Sequence, residues 1–198
     1  MDKLAYYAKT LAETAPAIFG IRGTFEQPAY TIKADLERGL EIRDYAPSVA
    51  AEATIAAPTQ REASETAFRL LFAYIAGANQ GRQTIAMTTP VRVDAAPAQG
   101  QTRIGMRFTL PAGLSANPPK PTDPRVSLLT EPAKTVAALR YTGNPSEIAR
   151  AEHQQTLLRR LQSPGWRPTG TPYALNYDPP FAIPFLKRNE VAVEVVPR

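Results

Sequence analysis

The stretch Gly77-Ala78-Asn79-Gln80-Gly81-Arg82-Gln83-Thr84-Ile85-Ala86-Met87-Thr88-Thr89-Pro90-Val91 decides how this chain is read. Gly77 and Asn79 suit a helix C-terminus, because both tolerate left-handed backbone angles. Gly81 completes a turn. From Ile85 to Val91 the chain resumes as an extended segment, with Pro90 marking an edge or a bulge. Upstream, Thr59 or Gln60 starts the helix that ends here. Its Phe68, Leu71, Phe72 and Ile75 recur at helical spacing and make one apolar face. The block is therefore a helix, a glycine turn and a strand.

Working outward, Tyr30–Leu36 and Leu40–Tyr45 alternate apolar and polar residues, which predicts two strands joined around Arg38-Gly39. Ser48–Ile55 is a third extended piece. Gln83–Val93 and Thr102–Leu110 are expected strands. Pro111–Pro124 holds five prolines and is expected to be a loop. Arg125–Glu131 and Thr135–Tyr141 read as strands. Asn144 is expected to cap a second helix with Pro145 at its first position. That helix runs to about Gln162 and stops at Pro164-Gly165. Ala174–Tyr177 and Glu190–Val196 are the last strands.

The two halves share a plan. Tyr45-Ala46-Pro47-Ser48-Val49-Ala50-Ala51 is echoed by Thr130-Glu131-Pro132-Ala133-Lys134-Thr135-Val136-Ala137-Ala138. This predicts an internal duplication of a strand-helix-strand-strand unit. The expected class is α+β: a mostly antiparallel sheet curved into a distorted barrel, with two helices packed outside. Residues 1–27 form an N-terminal segment. Its Leu4, Tyr7, Ala8 and Leu11 share one side of an expected helix, and a linker follows. Residues 28–198 form the domain proper.

Composition narrows the chemistry. The 198 residues can bury roughly 70% of the surface exposed by the unfolded chain, so no covalent staple is needed. There is no Cys, which excludes disulfides, thiolate nucleophiles and thiolate ligands. A single His153 excludes multi-histidine metal sites and bis-histidine haem. The net charge of +5 comes from scattered Lys and Arg, not the dense stripe of a nucleic-acid binder. No nucleic acid is expected as partner, and a basic rim suits an anionic ligand. The longest apolar run, Leu70–Ala78, falls far short of the ~20 residues that span a bilayer. Met1–Gly20 carries Asp2, Lys3, Lys9 and Glu13 where a signal peptide would be apolar. A cytoplasmic location is favoured, and a periplasmic one stays open. Nothing here speaks to oligomeric state.

Near the C-terminus stands Tyr177-Asp178-Pro179-Pro180, then an apolar loop, then Arg188-Asn189-Glu190-Val191. Taken with Gly77-Ala78-Asn79, Ile85-Ala86-Met87-Thr88-Thr89-Pro90-Val91 and Phe108-Thr109-Leu110-Pro111, these blocks resemble the SOUL haem-binding protein family. The resemblance covers roughly Pro28 to Val196, and its order and spacing make it specific. It implies the same distorted barrel, shared with effector-binding domains of some multidrug-responsive regulators. It also implies a porphyrin cleft between the first helix and the C-terminal apolar loop. Carried over, it nominates Phe68, Leu71, Phe72 and Ile75 on one wall and Phe181, Ile183 and Phe185 on the other. The implied ligand is haem or a porphyrin, and the partner a small-molecule tetrapyrrole.

Residue chemistry adds detail. Pro179 to Leu186 is strongly apolar, and its prolines prevent an ordinary strand, so it is expected to cover something. Apolar burial at ~25 cal/mol per Å2 can hold a flat macrocycle without an iron ligand. The carboxylates of the macrocycle need cations, for which Arg69, Lys187 and Arg188 are placed. Arg188, opening a strand, can equally pair with neighbouring carboxylates. Met87 is a possible axial ligand or a core filler; Met106 is a more distant candidate. A wheel of roughly 100° per residue centres the second helix's apolar face near Leu158, with Ala151 and Leu161 beside it. His153 then falls roughly 120° away, which reads as a surface histidine and not an iron ligand.

No nucleophile elbow, phosphate loop or dinucleotide fingerprint occurs, and no Ser-His-Asp set can be assembled. A non-enzymatic carrier is therefore expected. Two other readings remain: a sensor for other flat amphipathic molecules, and a small-molecule hydrolase that uses Glu190 with a pKa raised by burial.

Overall fold

The structure is a computed structural model that describes residues 25–36, 38–98, 100–162, 165–179 and 181–198. The expected N-terminal helix, most of its linker, Pro164 and Pro180 lie outside the described residues. The strands are β1 (Tyr30–Asp35), β2 (Leu40–Tyr45), β3 (Ser48–Ala57), β4 (Val91–Ala98), β5 (Gln101–Thr109), β6 (Val126–Glu131), β7 (Lys134–Tyr141), β8 (Trp166–Pro168), β9 (Tyr173–Asn176) and β10 (Asn189–Pro197). Helix α1 is Gln60–Ile75, between β3 and β4, and α2 is Glu147–Arg160, between β7 and β8.

Every strand pairing is antiparallel, in the order β1-β2-β7-β10-β9-β4-β5-β3-β6, and β8 pairs β10. Setting β1 and β8 aside, this order maps onto itself when the halves are exchanged: β2 with β6, β7 with β3, β10 with β5, β9 with β4. The duplication seen in the sequence is thus a pseudo-twofold whose axis passes between β9 and β4. Strands β2 and β3 are joined only by Ala46 and Pro47, yet they lie towards opposite ends of the order. The same holds for β6 and β7, joined by Pro132 and Ala133. Two-residue links cannot span an open sheet, so the sheet must curl until its ends meet. Arg92 of β4 accordingly comes within 3.8 Å of Glu131 of β6, three strands away in the order.

Alternation sorts the two faces. Ala51, Ala53, Val93, Ile104, Met106 and Phe108 pack under α1, while Ile42, Leu139, Val191, Val193 and Val195 pack under α2. The inner face carries tyrosines and ion pairs. Arg107 bonds Glu52 at 2.7 Å and Glu131 at 2.8 Å, and Lys134 bonds Glu131 at 2.9 Å.

Several details correct the sequence reading. Residues 83–90 form no strand. The Ile85 N–H turns back to the Ile75 carbonyl and the Thr89 N–H goes to the Glu26 carbonyl, so the segment wraps the helix end. Thr59 does cap α1, accepting from the Glu62 N–H, but Ser146 and not Asn144 caps α2, accepting from Ala149. Asn144 Oδ1 instead accepts from Lys187 Nζ at 3.1 Å. The inward centre of α2 is Leu157, with Leu161; Leu158 is exposed. His153, four residues before Leu157, is therefore half-buried and stacks on Tyr141 at 4.1 Å. The proline loop holds one 3-10 turn, Ala112–Leu114. Strand β8 was not foreseen.

Positive φ angles fall at Gly77 (113°), Gly81 (91°) and Arg82 (52°), and Asn79 is not among them. Asn79 is instead a buried clamp. Its Nδ2 donates to the carbonyls of Tyr74 and Gln83, and its Oδ1 accepts from the Gln83 N–H. Asn79→Ala leaves those groups unpaired, and the expected loss is about 2 kcal/mol in a denaturant titration with unchanged slope.

Candidate functional site

The helix α1 meets the sheet along Ala63, Ala67, Leu71, Tyr74 and Ile75, spaced three or four apart and fully enclosed. Phe68 and Phe72 lie beside that stripe, turned away from the sheet's closest approach. They stack at 5.9 Å, and Phe68 stands edge-on to Phe108 at 5.5 Å. The fold leaves a gap next to these rings. The short α2 begins on the far side of the β4–β9 pair, and the loop from Pro179 to Leu186 arches beside it.

The gap is a cavity of about 1070 Å3. One wall is α1, with Ser64, Glu65, Phe68, Arg69 and Phe72. The floor is Val91, Val93, Met106 and Asn176, with Met87, Thr89 and Phe25 at one side. Opposite α1 stand Tyr177, Asp178, Pro179, Phe181 and Lys187, and the residues Asn144, Pro145 and Ser146 that lead into α2. The lining is predominantly carbon, and the volume lies at the upper end of ordinary small-molecule sites.

The loop is fastened at both feet. Tyr177 N–H reaches the Arg188 carbonyl at 3.3 Å, and Asp178 accepts from the Arg188 N–H at 2.6 Å. Between them, Ala182 turns inward, while Phe181 and Phe185 are 57% and 74% exposed. Neither ring fills the cavity, and among the described residues no side chain occupies the space beside α1.

Of the residues nominated from the sequence, Phe68, Arg69, Phe72, Met87, Phe181 and Lys187 line this cavity. Leu71 and Ile75 do not: they are buried against the sheet. Ile183 and Phe185 belong to the loop but not to the lining. Arg188 is no rim cation. Its Nε and Nη2 lie 2.9 and 2.6 Å from Glu190 Oε1, and its guanidinium sits 4.1 Å over the Tyr177 ring. His153 lies outside the lining.

Glu190 also departs from expectation. It is wholly buried, with Arg43 Nη1 and Nη2 at 2.7 and 3.0 Å and the Tyr177 hydroxyl donating at 3.0 Å. Burial pushes its pKa up, but hydrogen bonds and charge from Arg43 and Arg188 outweigh this and hold it below the usual carboxylate value. It stays ionised and paired. Tyr177 is pushed well above 10 by burial and then by the Glu190 charge. Lys187 is shifted down by burial, with the charge of Asp178 opposing.

The sequence of this chain matches the model of the SOUL heme-binding protein family over residues 25–194. The chain belongs to the SOUL family. Among curated relatives, Heme-binding protein 1 of Xenopus tropicalis is 29% identical over 133 residues, spanning 66% of this chain and 70% of that protein. The SOUL fold seen here superposes on a hydrolase from Listeria innocua with a TM-score of 0.58 at 14% identity, covering 81% and 93% of the two chains. The EcmrR C-terminal domain gives 0.58 at 11% identity, covering 85% and 99%. At such identities these two structures share the fold alone.

The cavity suits the family's ligand. Its carbon walls can hold the face of a macrocycle, and two cations, Arg69 and Lys187, stand in the lining for carboxylates. Sequence reasoning missed Phe25, Val91, Val93 and Asn176. Period-two alternation marks the face of Val91 and Val93, but not that α1 leaves this part of the face uncovered.

Proposed function

We propose that this SOUL protein is a non-enzymatic carrier that holds haem or a porphyrin in the cavity between α1 and the 179–186 loop. The observation that supports it is the carbon-lined space that the described residues leave open, in a chain of a haem-binding family. Phe68 and Phe72 present ring faces to the macrocycle, Val91 and Val93 close the floor, and Phe181 shields the mouth. Burial of the plane supplies most of the affinity. Bound haem would contribute the chemistry of its iron; the residues named here position the macrocycle and exclude water.

The non-enzymatic reading rests on how the site's polar groups are committed. Glu190, the expected general acid or base, is neutralised by two guanidinium groups behind the cavity wall. Glu65, in the lining, accepts from Arg61 at 2.8 Å.

Lys187 and Arg69 receive the carboxylates. Lys187 bonds Asn144 Oδ1 at 3.1 Å and lines the cavity, where its positive charge attracts a ligand carboxylate. Saturable quenching of metal-free protoporphyrin fluorescence is the expected result. Lys187→Gln should weaken the free acid about tenfold more than its dimethyl ester, since a charge-assisted hydrogen bond is lost only with the former. Equal weakening of acid and ester would remove Lys187 from carboxylate recognition. Saturable binding of lipophilic cations with none of porphyrins would remove the tetrapyrrole itself.

A further inference from the structure

A haem brings one group that carbon walls and rim cations leave unanswered, its iron. Six lining side chains carry an atom able to meet it: Glu65, Met87, Met106, Tyr177, Asp178 and Lys187. Three are engaged elsewhere: Glu65 accepts from Arg61, Tyr177 donates its hydroxyl to Glu190, and Lys187 donates to Asn144. Asp178 accepts from the Arg188 N–H through Oδ2, and as a hard oxygen donor it would favour ferric iron. Ionising Tyr177 would also set a phenolate against the Glu190 carboxylate at 3.0 Å.

The two thioethers are the soft donors in the lining. Met106 lies on β5 directly opposite Val93 of the floor and is almost fully enclosed. Met87 sits on a backbone fixed on either side of it. The Ile85 N–H bonds the Ile75 carbonyl at 2.8 Å, and the buried Thr88 hydroxyl donates to the Thr109 carbonyl. The α1 wall offers Phe68 and Phe72 in the lining and no sulfur or imidazole.

We infer that the thioether wall of Met87 and Met106 supplies a sulfur to the iron of bound haem, so that the protein favours ferrous over ferric haem. A thioether is a soft ligand, and methionine ligation stabilises the reduced iron. The inference rests on the tetrapyrrole reading and adds a preference that a purely apolar slot would lack.

The test titrates the wild type, Met87→Leu, Met106→Leu and the double variant with ferrous haem, ferric haem and metal-free protoporphyrin. Leu conserves volume and removes the sulfur. Magnetic circular dichroism of the ferric complex reads the sulfur-to-iron charge-transfer band directly. In the wild type the band is expected, with ferrous haem bound about tenfold tighter than ferric. In the double variant the band is expected to vanish and the ratio of ferrous-haem to metal-free affinity to fall about tenfold. A ratio and a spectrum that survive the double substitution, with protoporphyrin still bound, overturn the sulfur ligand and leave the carrier standing. Failure of all three macrocycles to bind the wild type overturns both.

Discussion

Glu190→Gln is expected to lower stability by about 3–5 kcal/mol, because it strips the counter-charge from Arg43 and Arg188 inside the barrel. Arg43 would keep one carboxylate, Glu41 at 2.7 Å, and the Tyr45 hydroxyl at 3.3 Å. Arg188 would keep no carboxylate on its guanidinium, among the described residues. For a chain of this size each kcal/mol moves the melting temperature roughly 2–4 °C, so calorimetry should show a fall of about 10 °C. The pH dependence carries the sign. The folded pKa of Glu190 lies below its unfolded value, so its contribution is present above the unfolded carboxylate pKa of about 4.3. It is lost as pH falls through the folded value. Acid titration of wild-type stability should therefore drop more steeply below pH ~4.3 than that of the variant. Parallel curves, or a stability loss under about 1 kcal/mol, would mean that Glu190 is not the keystone of this cluster.

The same cluster explains why the loop keeps its position. Arg188 joins Glu190, the Tyr177 ring and the Asp178 carboxylate, so both feet of the loop are tied to the barrel interior. A loosened loop in Glu190→Gln would weaken ligand binding through position, without any contact between Glu190 and the ligand.

Phe68→Asp is expected to reduce protoporphyrin affinity about a hundredfold. It places a carboxylate in the face of a buried macrocycle, and ~2.7 kcal/mol is a modest desolvation cost for a charge. Phe68 is 39% exposed, so the fold should survive its replacement with a loss of about 1–2 kcal/mol. Phe68→Leu separates shape from polarity and should bind within about tenfold of wild type. If Phe68→Asp binds as tightly as wild type while folded, the macrocycle does not lie against α1.

How much of this was legible in the sequence differs by element. The echo around Pro47 and Pro132 exposed the duplication, and the pseudo-twofold strand order carries it through the sheet. Alternation gave β1 and β2 and the turn at Arg38-Gly39, because one face of each strand must be apolar. The segment before Pro90 misled, since an apolar alternation in 85–89 arises there from anchoring to α1 and not from strand pairing. On α2, one residue of phase separates Leu157 from Leu158, which moved His153 from the surface to a ring stack on Tyr141.

The site was less legible, for a physical reason. Helical periodicity groups Phe68, Leu71, Phe72 and Ile75, but it cannot say which edge of the stripe the sheet covers. Leu71 and Ile75 met the sheet; Phe68 and Phe72 met the gap. Arg188 and Lys187 are neighbours in sequence with opposite fates, because the extended backbone leading into β10 turns one into the barrel and the other towards the cavity. The partner that claims Arg188 stands two residues along, in β10, a signal present in the sequence but indistinguishable there from a rim.

The central claim is that a tetrapyrrole occupies the space between α1 and the 179–186 loop. A crystal structure of the protein with metal-free protoporphyrin tests it most directly. The macrocycle should lie between Phe68 and Phe72 on one side and Val93 and Met106 on the other, with a carboxylate at Lys187. Density for the macrocycle elsewhere on the protein, with this cavity holding only solvent, would contradict it.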